Sequence, residues 1–244
     1  MENLPLYIIT CAGATTFLTV FFFYKAAAGS KILLLICMAW LGIQAAISLT
    51  GFYTVTHVMP PRFILTILPP FIAIAACFFT KSGRSFLDRL NVKWLSLLHV
   101  VRLPVEMLLL WLAIHTYVPQ LMTFEGRNPD ILSGITAPFI FYFGYVRKNI
   151  NRKLLITWNL VCLALLCNIV INAILAAPSP FQQFAFDQPN IAVLYFPFVW
   201  LPCFIVPLVL FSHLVSIRQL ISQKHMTRTS SDRSGAATVY AASH

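Results

Sequence analysis

Residues 94–117 read WLSLLHVVRLPVEMLLLWLAIHTY, and this stretch decides the fold. As a helix it reaches roughly 36 Å at 1.5 Å per residue, enough to cross about 30 Å of hydrocarbon. Its formal charges are Arg102 and Glu106 alone. A soluble helix would carry a polar stripe instead.

The rest of the chain repeats this character. Its 244 residues are 59% hydrophobic and only 10% charged, with a mean hydropathy of +0.81. That composition lies outside the range of soluble domains. Seven apolar runs are predicted to span, at about 4–24, 32–53, 63–80, 94–117, 130–146, 154–176 and 192–215. The expected fold is an all-α integral membrane protein with seven transmembrane helices within residues 1–222. Residues 223–244, polar and rich in small side chains, are expected to form a disordered cytoplasmic tail.

The net charge of +10 does not call for nucleic acid, because the cations fall in alternate connections. Lys25 and Lys31 follow the first run, Lys81, Arg84, Arg89 and Lys93 the third, Arg147, Lys148, Arg152 and Lys153 the fifth, and Arg218, Lys224, Arg228 and Arg233 the seventh, while the other connections hold only Arg62 and Arg127. The positive-inside rule then puts the N-terminus outside and the C-terminus in the cytoplasm. A bacterial cytoplasmic (inner) membrane is the expected location. The opening MENLPLYIIT has no basic region, so the first run is expected to remain as a span. All six cysteines fall within predicted spans and are expected to be buried thiols.

A weak internal duplication is legible. Shifting by 122 residues lays Phe17, Phe21, Lys25 and Lys31 on Phe139, Phe143, Arg147 and Lys153. A shift of 133 lays LPPFI (68–72) on LPCFI (201–205). This suggests a 3+1+3 repeat in which the fourth span is unpaired. The arrangement is similar to that of the SWEET sugar transporters in span order alone, with no motif shared. Between Asn190 and Ile217 there is no lysine, which argues against a retinal Schiff base in the last span.

On a helix, Glu106 lies about 20° and Arg102 about 60° from His99, so the three share a face. Arg102 and Glu106 are predicted near the midplane, roughly 12 and 18 Å from the Trp94 end. A charge there is costly unless paired or hydrated. The expected site is therefore a substrate-binding or proton-coupling group at Glu106, with Arg102 as its partner and His99, Asn168 and Asn172 nearby. A structural Arg102–Glu106 ion pair is the bland alternative. Asn168 and Asn172, four residues apart in the sixth span, suit helix packing as well as cavity lining. Pro69, Pro70, Pro104, Pro197, Pro202 and Pro207 are expected to break helices and line the site, releasing carbonyls such as those of Val100, Val193, Phe198 and Cys203. In the exterior loop TFEGRNPD (123–130), Glu125, Arg127 and Asp130 would form the entrance, with Asp130 also able to cap the fifth span.

The expected function is a small-solute transporter or permease, proton coupling included, whose partners are the lipid bilayer, the solute and protons, with no nucleic acid. Two alternatives stand beside it. One is a membrane-embedded enzyme or electron carrier for a lipid or quinone; the other is a sensor or assembly subunit. No cofactor or metal is expected, the weak alternatives being haem b held by histidines and a metal at His57 and His115. The histidines are otherwise expected as interfacial polar groups. No catalytic motif is present: there is no GxSxG, no Walker loop and no HExxH.

Overall fold

The computed structural model describes residues 4–222, whose regular structure is helical, with no strand among the described residues. Eight helices account for the fold. They are α1 (Leu6–Ala26), α2 (Lys31–Leu49), α3 (Ile64–Phe79), α4 (Lys81–Arg89), α5 (Val92–Ile114), α6 (Ile131–Val146), α7 (Arg152–Ala176) and α8 (Leu201–Ser222). Five of them, α1, α2, α5, α7 and α8, are long and apolar enough to cross a membrane. The number becomes six if the bent pair α3 and α4 counts as one span. The expected tail, 223–244, lies outside the described residues.

The two segments that fall short do so for identifiable reasons. α3 has 16 residues, roughly 24 Å, and α4 leaves it at 92°. Thr80 makes the corner. Its backbone is extended and its hydroxyl accepts a bond from Gly83 N at 3.0 Å. A side chain at Gly83 would run into the backbone of Cys77, so glycine is required for the close approach. α6 is equally short; it begins as α-helix and passes at Ile140 into a π-helical stretch two residues after Pro138. Proline's missing N–H disturbs the regular ladder there.

The expected seventh run needs a larger correction. Residues 192–200 are mainly turns, and the helix starts at Leu201 rather than 192 and continues to 222. Pro197 therefore precedes α8 instead of interrupting it, and Pro202 occupies its first turn, where an N–H is not needed. LPPFI lies in ordinary α-helix in α3, while LPCFI is the π-helical start of α8. The two stretches that align in sequence thus differ in conformation.

α5, the helix left unpaired by the sequence alignment, is the centre of the bundle. α1 packs along one side and α6 along the other, and Leu95, Leu98, Val101, Leu108 and Leu112 are fully buried. Ahead of Pro104 the helix tightens into a 3₁₀ turn at His99–Val101. α2 and α8 exchange indole bonds: Trp40 Nε1 donates to Cys203 O (2.9 Å) and Trp200 Nε1 to Leu41 O (3.1 Å). The Cys203 carbonyl is the one that Pro207 cannot serve, so the indole fills a position the sequence left open. In α1 the buried Thr15, Thr16 and Thr19 hydroxyls bond back to the carbonyls one turn earlier, which satisfies them without a partner helix.

Of the thiols, Cys37, Cys162 and Cys203 are buried as expected, Cys11 and Cys77 are half-buried, and Cys167 is exposed on the outer face of α7.

Candidate functional site

The polar groups of α5 do not pair with each other. Arg102 Nη1 lies 2.9 Å from Asp130 Oδ1, both side chains being buried. Its two terminal nitrogens also donate to the Cys162 carbonyl of α7 at 3.3 Å, and Nη2 donates to His213 Nε2 of α8 at 3.2 Å. Glu106 has a different partner, Asn128, whose Nδ2 donates to Glu106 Oε1 at 2.5 Å. The expected Arg102–Glu106 partnership is thereby replaced by Arg102–Asp130. Four-residue spacing brings two side chains to one face, but a third group that enters from a loop can take the closer position.

That loop is the segment between α5 and α6. It turns inward through a 3₁₀ turn at Gln120–Met122, and Gly126 sits where a Cβ would strike the backbone of Gln120 and Leu121. Asn128 Nδ2 also donates to Met122 O (3.0 Å), and Asn128 Oδ1 accepts from Asp130 N (3.2 Å). Asn168 of α7 secures the outside by donating to Arg127 O at 2.9 Å, with Asn172 behind it donating to Asn168 Oδ1 at 3.3 Å. Glu125 and Arg127 are exposed. Asp130 is not: it is buried against Arg102, and its side chain makes no bond to the helix backbone it precedes. Asn168 and Asn172 serve packing of the loop on α7.

Below Arg102 the network continues in α7 and α8. Arginine has only donors, so His213 Nε2 must accept, and the imidazole carries its proton on Nδ1. That nitrogen faces Asn159 Oδ1 at 2.9 Å, and Asn159 Nδ2 donates in turn to Leu155 O at 2.8 Å. The ring of His99 stacks on that of His213 at 3.8 Å between centroids and 15° between planes, with Trp158 edge-on to His99 at 5.5 Å. Both histidines are fully buried, contrary to the interfacial position expected for them. Neither ring nitrogen of His99 has a hydrogen-bond partner among the described residues.

Arg102, Glu106 and Asp130 form the polar wall of a cavity of about 110 Å³. Its remaining walls come from α3 (Phe63, Thr66, Phe71), α7 (Leu166, Ile169, Ala173), α8 (Leu201, Pro202, Ile205) and Asn190 of the last loop. Glu106 Oε2, Arg102 Nε and Asn190 Oδ1 are buried there without hydrogen-bond partners among the described residues. Of the six prolines expected to line the site, Pro202 does so. Pro69, Pro70 and Pro207 line a second, apolar hollow between α2, α3 and α8, and Pro104 and Pro197 line neither.

The four histidines among the described residues are held as two stacked rings and two separate side chains. Face-to-face stacking of His99 on His213 leaves no room between them for a macrocycle. His57 is exposed beyond α2, while His115 Nδ1 is occupied with Trp111 O at 2.8 Å. No group of three or more His, Cys, Asp or Glu side chains is arranged to hold a metal among the described residues.

Sequence reasoning missed Asn128, Asn159 and His213 as members of this network. Asn159 and His213 left a signal, since both are polar residues inside apolar runs. Asn128 left none, because its role depends on how the loop folds back.

The fold and site thus define an all-α protein with several helices apolar enough to cross a membrane and a charged cavity at the heart of the bundle. The chain belongs to the family DUF8737, described as a domain of unknown function, whose model matches residues 60–221. That match runs from before α3 to within one residue of the end of α8 and includes every residue of the cavity. No curated protein and no solved structure matches the chain.

Proposed function

We propose that this protein is a seven-span permease of a cytoplasmic membrane for a small solute, coupled to protons, with the N-terminus outside and the C-terminus in the cytoplasm. In this reading α3 with its corner helix α4, and the short α6, are the third and fifth spans. A short span is accommodated by local thinning of the bilayer at modest cost. The alternation of basic connections supports the orientation.

The observation that carries the reading is the charge count of the cavity. Two carboxylates, Glu106 and Asp130, share it with a single cation, Arg102, and Arg102 is committed to Asp130 at 2.9 Å. Glu106 is left with a neutral amide on one oxygen and no partner on the other. A lone carboxylate in an apolar cavity needs a proton or a cationic group as its counterpart. Exchange of one for the other at Glu106 is a coupling mechanism, with the Arg102–Asp130 pair as the fixed frame.

The test is uptake in proteoliposomes that enclose a pH-sensitive dye, using solutes that raise the melting temperature of the purified protein. Wild type is expected to make the lumen more alkaline when such a solute is added, since a cationic solute that displaces the proton of Glu106 enters as the proton leaves. Glu106→Gln is expected to melt normally and leave the lumen pH unchanged, and full coupled uptake by that variant would overturn the proposal.

A further inference from the structure

A second polar pocket lies at the opposite end of α5 from the loop that holds Asn128, where the start of α5, the end of α6, the start of α7 and the end of α8 meet. Its volume is about 450 Å³, and its polar lining consists of Lys93, Lys148, Arg152, Tyr145, Asn91 and Gln219. Three cations line one space, and no carboxylate among the described residues lines it. The nearby Asp88 is already held by Arg218 at 3.0 Å, on the exposed side of α4. Gln219 spends its amide N–H groups on the carbonyls of Leu87 and Leu90.

One buried donor in the lining is left over. Arg152 Nη2 reaches Ile221 O at 3.4 Å, Tyr145 faces the Ser96 hydroxyl, and Arg152 Nε has no hydrogen-bond partner among the described residues, although a buried donor without a partner is unfavourable. Arg152 also opens α7, a helix of 25 residues, whose N-terminal end carries partial positive charge. Cations, an unused donor and a helix start around one concavity are complementary to an anion with several acceptor oxygens.

We infer that this pocket binds a phosphate-bearing anion, and that in the membrane the phosphate is that of an anionic phospholipid headgroup. The pocket sits at the ends of the apolar helices, at the level where headgroups lie, and on the basic side of the bundle. Basic pockets between transmembrane helices on that side are suited to such headgroups. Leu155, Leu220 and Ile150 in the lining suit the glycerol and first methylenes of the same lipid. This inference stands whether or not the central cavity transports a solute.

The experiment reads lipid retention. The protein is purified in a neutral detergent from membranes containing phosphatidylglycerol and phosphatidylcholine, and bound lipid is counted by native mass spectrometry. Wild type is expected to retain phosphatidylglycerol over phosphatidylcholine. Lys148→Gln with Arg152→Gln is expected to lower that preference roughly tenfold or more, at about one kcal/mol for each basic residue near the surface. Arg152→Lys controls for folding and should keep most of it. Lys81→Gln with Arg84→Gln, on the exposed face of α4, should keep all of it. Equal loss in that α4 variant, or no loss in the pocket variant, overturns the inference. If wild type retains no lipid but binds inorganic phosphate in a manner abolished by Lys148→Gln with Arg152→Gln, the anion site stands and its phosphate comes from solution rather than from lipid.

Discussion

Arg102 and Asp130, brought together from the middle of one helix and the loop before the next, are the only buried ion pair among the described residues, at 2.9 Å. Breaking such a pair from one side leaves an uncompensated charge, at a cost of about 3–5 kcal/mol. Asp130→Asn is therefore expected to destabilise the protein by roughly that amount in detergent-induced unfolding. Replacing both partners, as Arg102→Met with Asp130→Leu, should recover a large part of the loss. If the double variant were no more stable than Asp130→Asn, the pair would not be the source of the effect.

The two stacked histidines should respond in opposite ways. His213 accepts from Arg102 and donates to Asn159, so His213→Leu strands two buried groups, each worth about 1–3 kcal/mol. His99 has no hydrogen bond to lose. His99→Phe keeps the flat ring against His213 and Trp158 while removing two unsatisfied nitrogens, and it should leave stability unchanged or raised. Thermal unfolding of the two variants side by side measures the contrast; equal losses would contradict the assigned hydrogen bonds.

Gly134 offers a test of the packing that supports the pair. A Cβ there would lie 2.9 Å from Leu103 Cγ, 3.0 Å from Leu103 N and 3.3 Å from Arg102 Cβ. The backbone nitrogen cannot yield, so α6 would be pushed from α5 just where Asp130 enters. Gly134→Ala is expected to cost roughly 1–3 kcal/mol, the usual penalty for overpacking. Gly13, with open space around its Cβ position, is the control, and Gly13→Ala should cost nothing measurable.

The exposed counterpart behaves differently. Arg218 and Asp88 make a two-pronged contact at 3.0–3.2 Å, but Asp88 is 52% exposed. Exposed pairs contribute about 1 kcal/mol or less. Asp88→Asn should thus shift stability far less than Asp130→Asn under identical conditions, and a loss as large as that of the buried variant would be against the reading.

Hydrophobic length is a local property, and α1, α3, α6 and α7 begin and end within two residues of the apolar runs read from the sequence, whereas α2 stops at Leu49 and α5 at Ile114, short of the expected 53 and 117. The start of α8 was not legible in the sequence, because an apolar composition does not distinguish a helix from the proline-held turns at 192–200. At the site, the importance of Arg102 and Glu106 followed from their cost in an apolar run. Their partners did not follow. Asp130 and Asn128 belong to a loop, and polar loop residues are ordinary in sequence; only the inward fold, with Gly126 at its tight point, makes them part of a buried site. His213 meeting His99 depends on the rotation of α8, which a hydropathy pattern does not specify.

Orientation can be tested on residues already exposed at the two ends. With the native cysteines replaced, Glu125→Cys lies in the loop before α6 and Lys148→Cys in the turn after it, and both positions are exposed. If α6 spans the membrane with the basic hairpins in the cytoplasm, a membrane-impermeant maleimide added to intact cells should label Glu125→Cys and spare Lys148→Cys. Opening the membrane should expose the second. Labelling of both in intact cells would mean that the 16-residue α6 does not cross, leaving Arg102 and Asp130 joined at a membrane surface rather than within it. The reverse pattern would invert the protein and put the phosphate pocket in the outer leaflet.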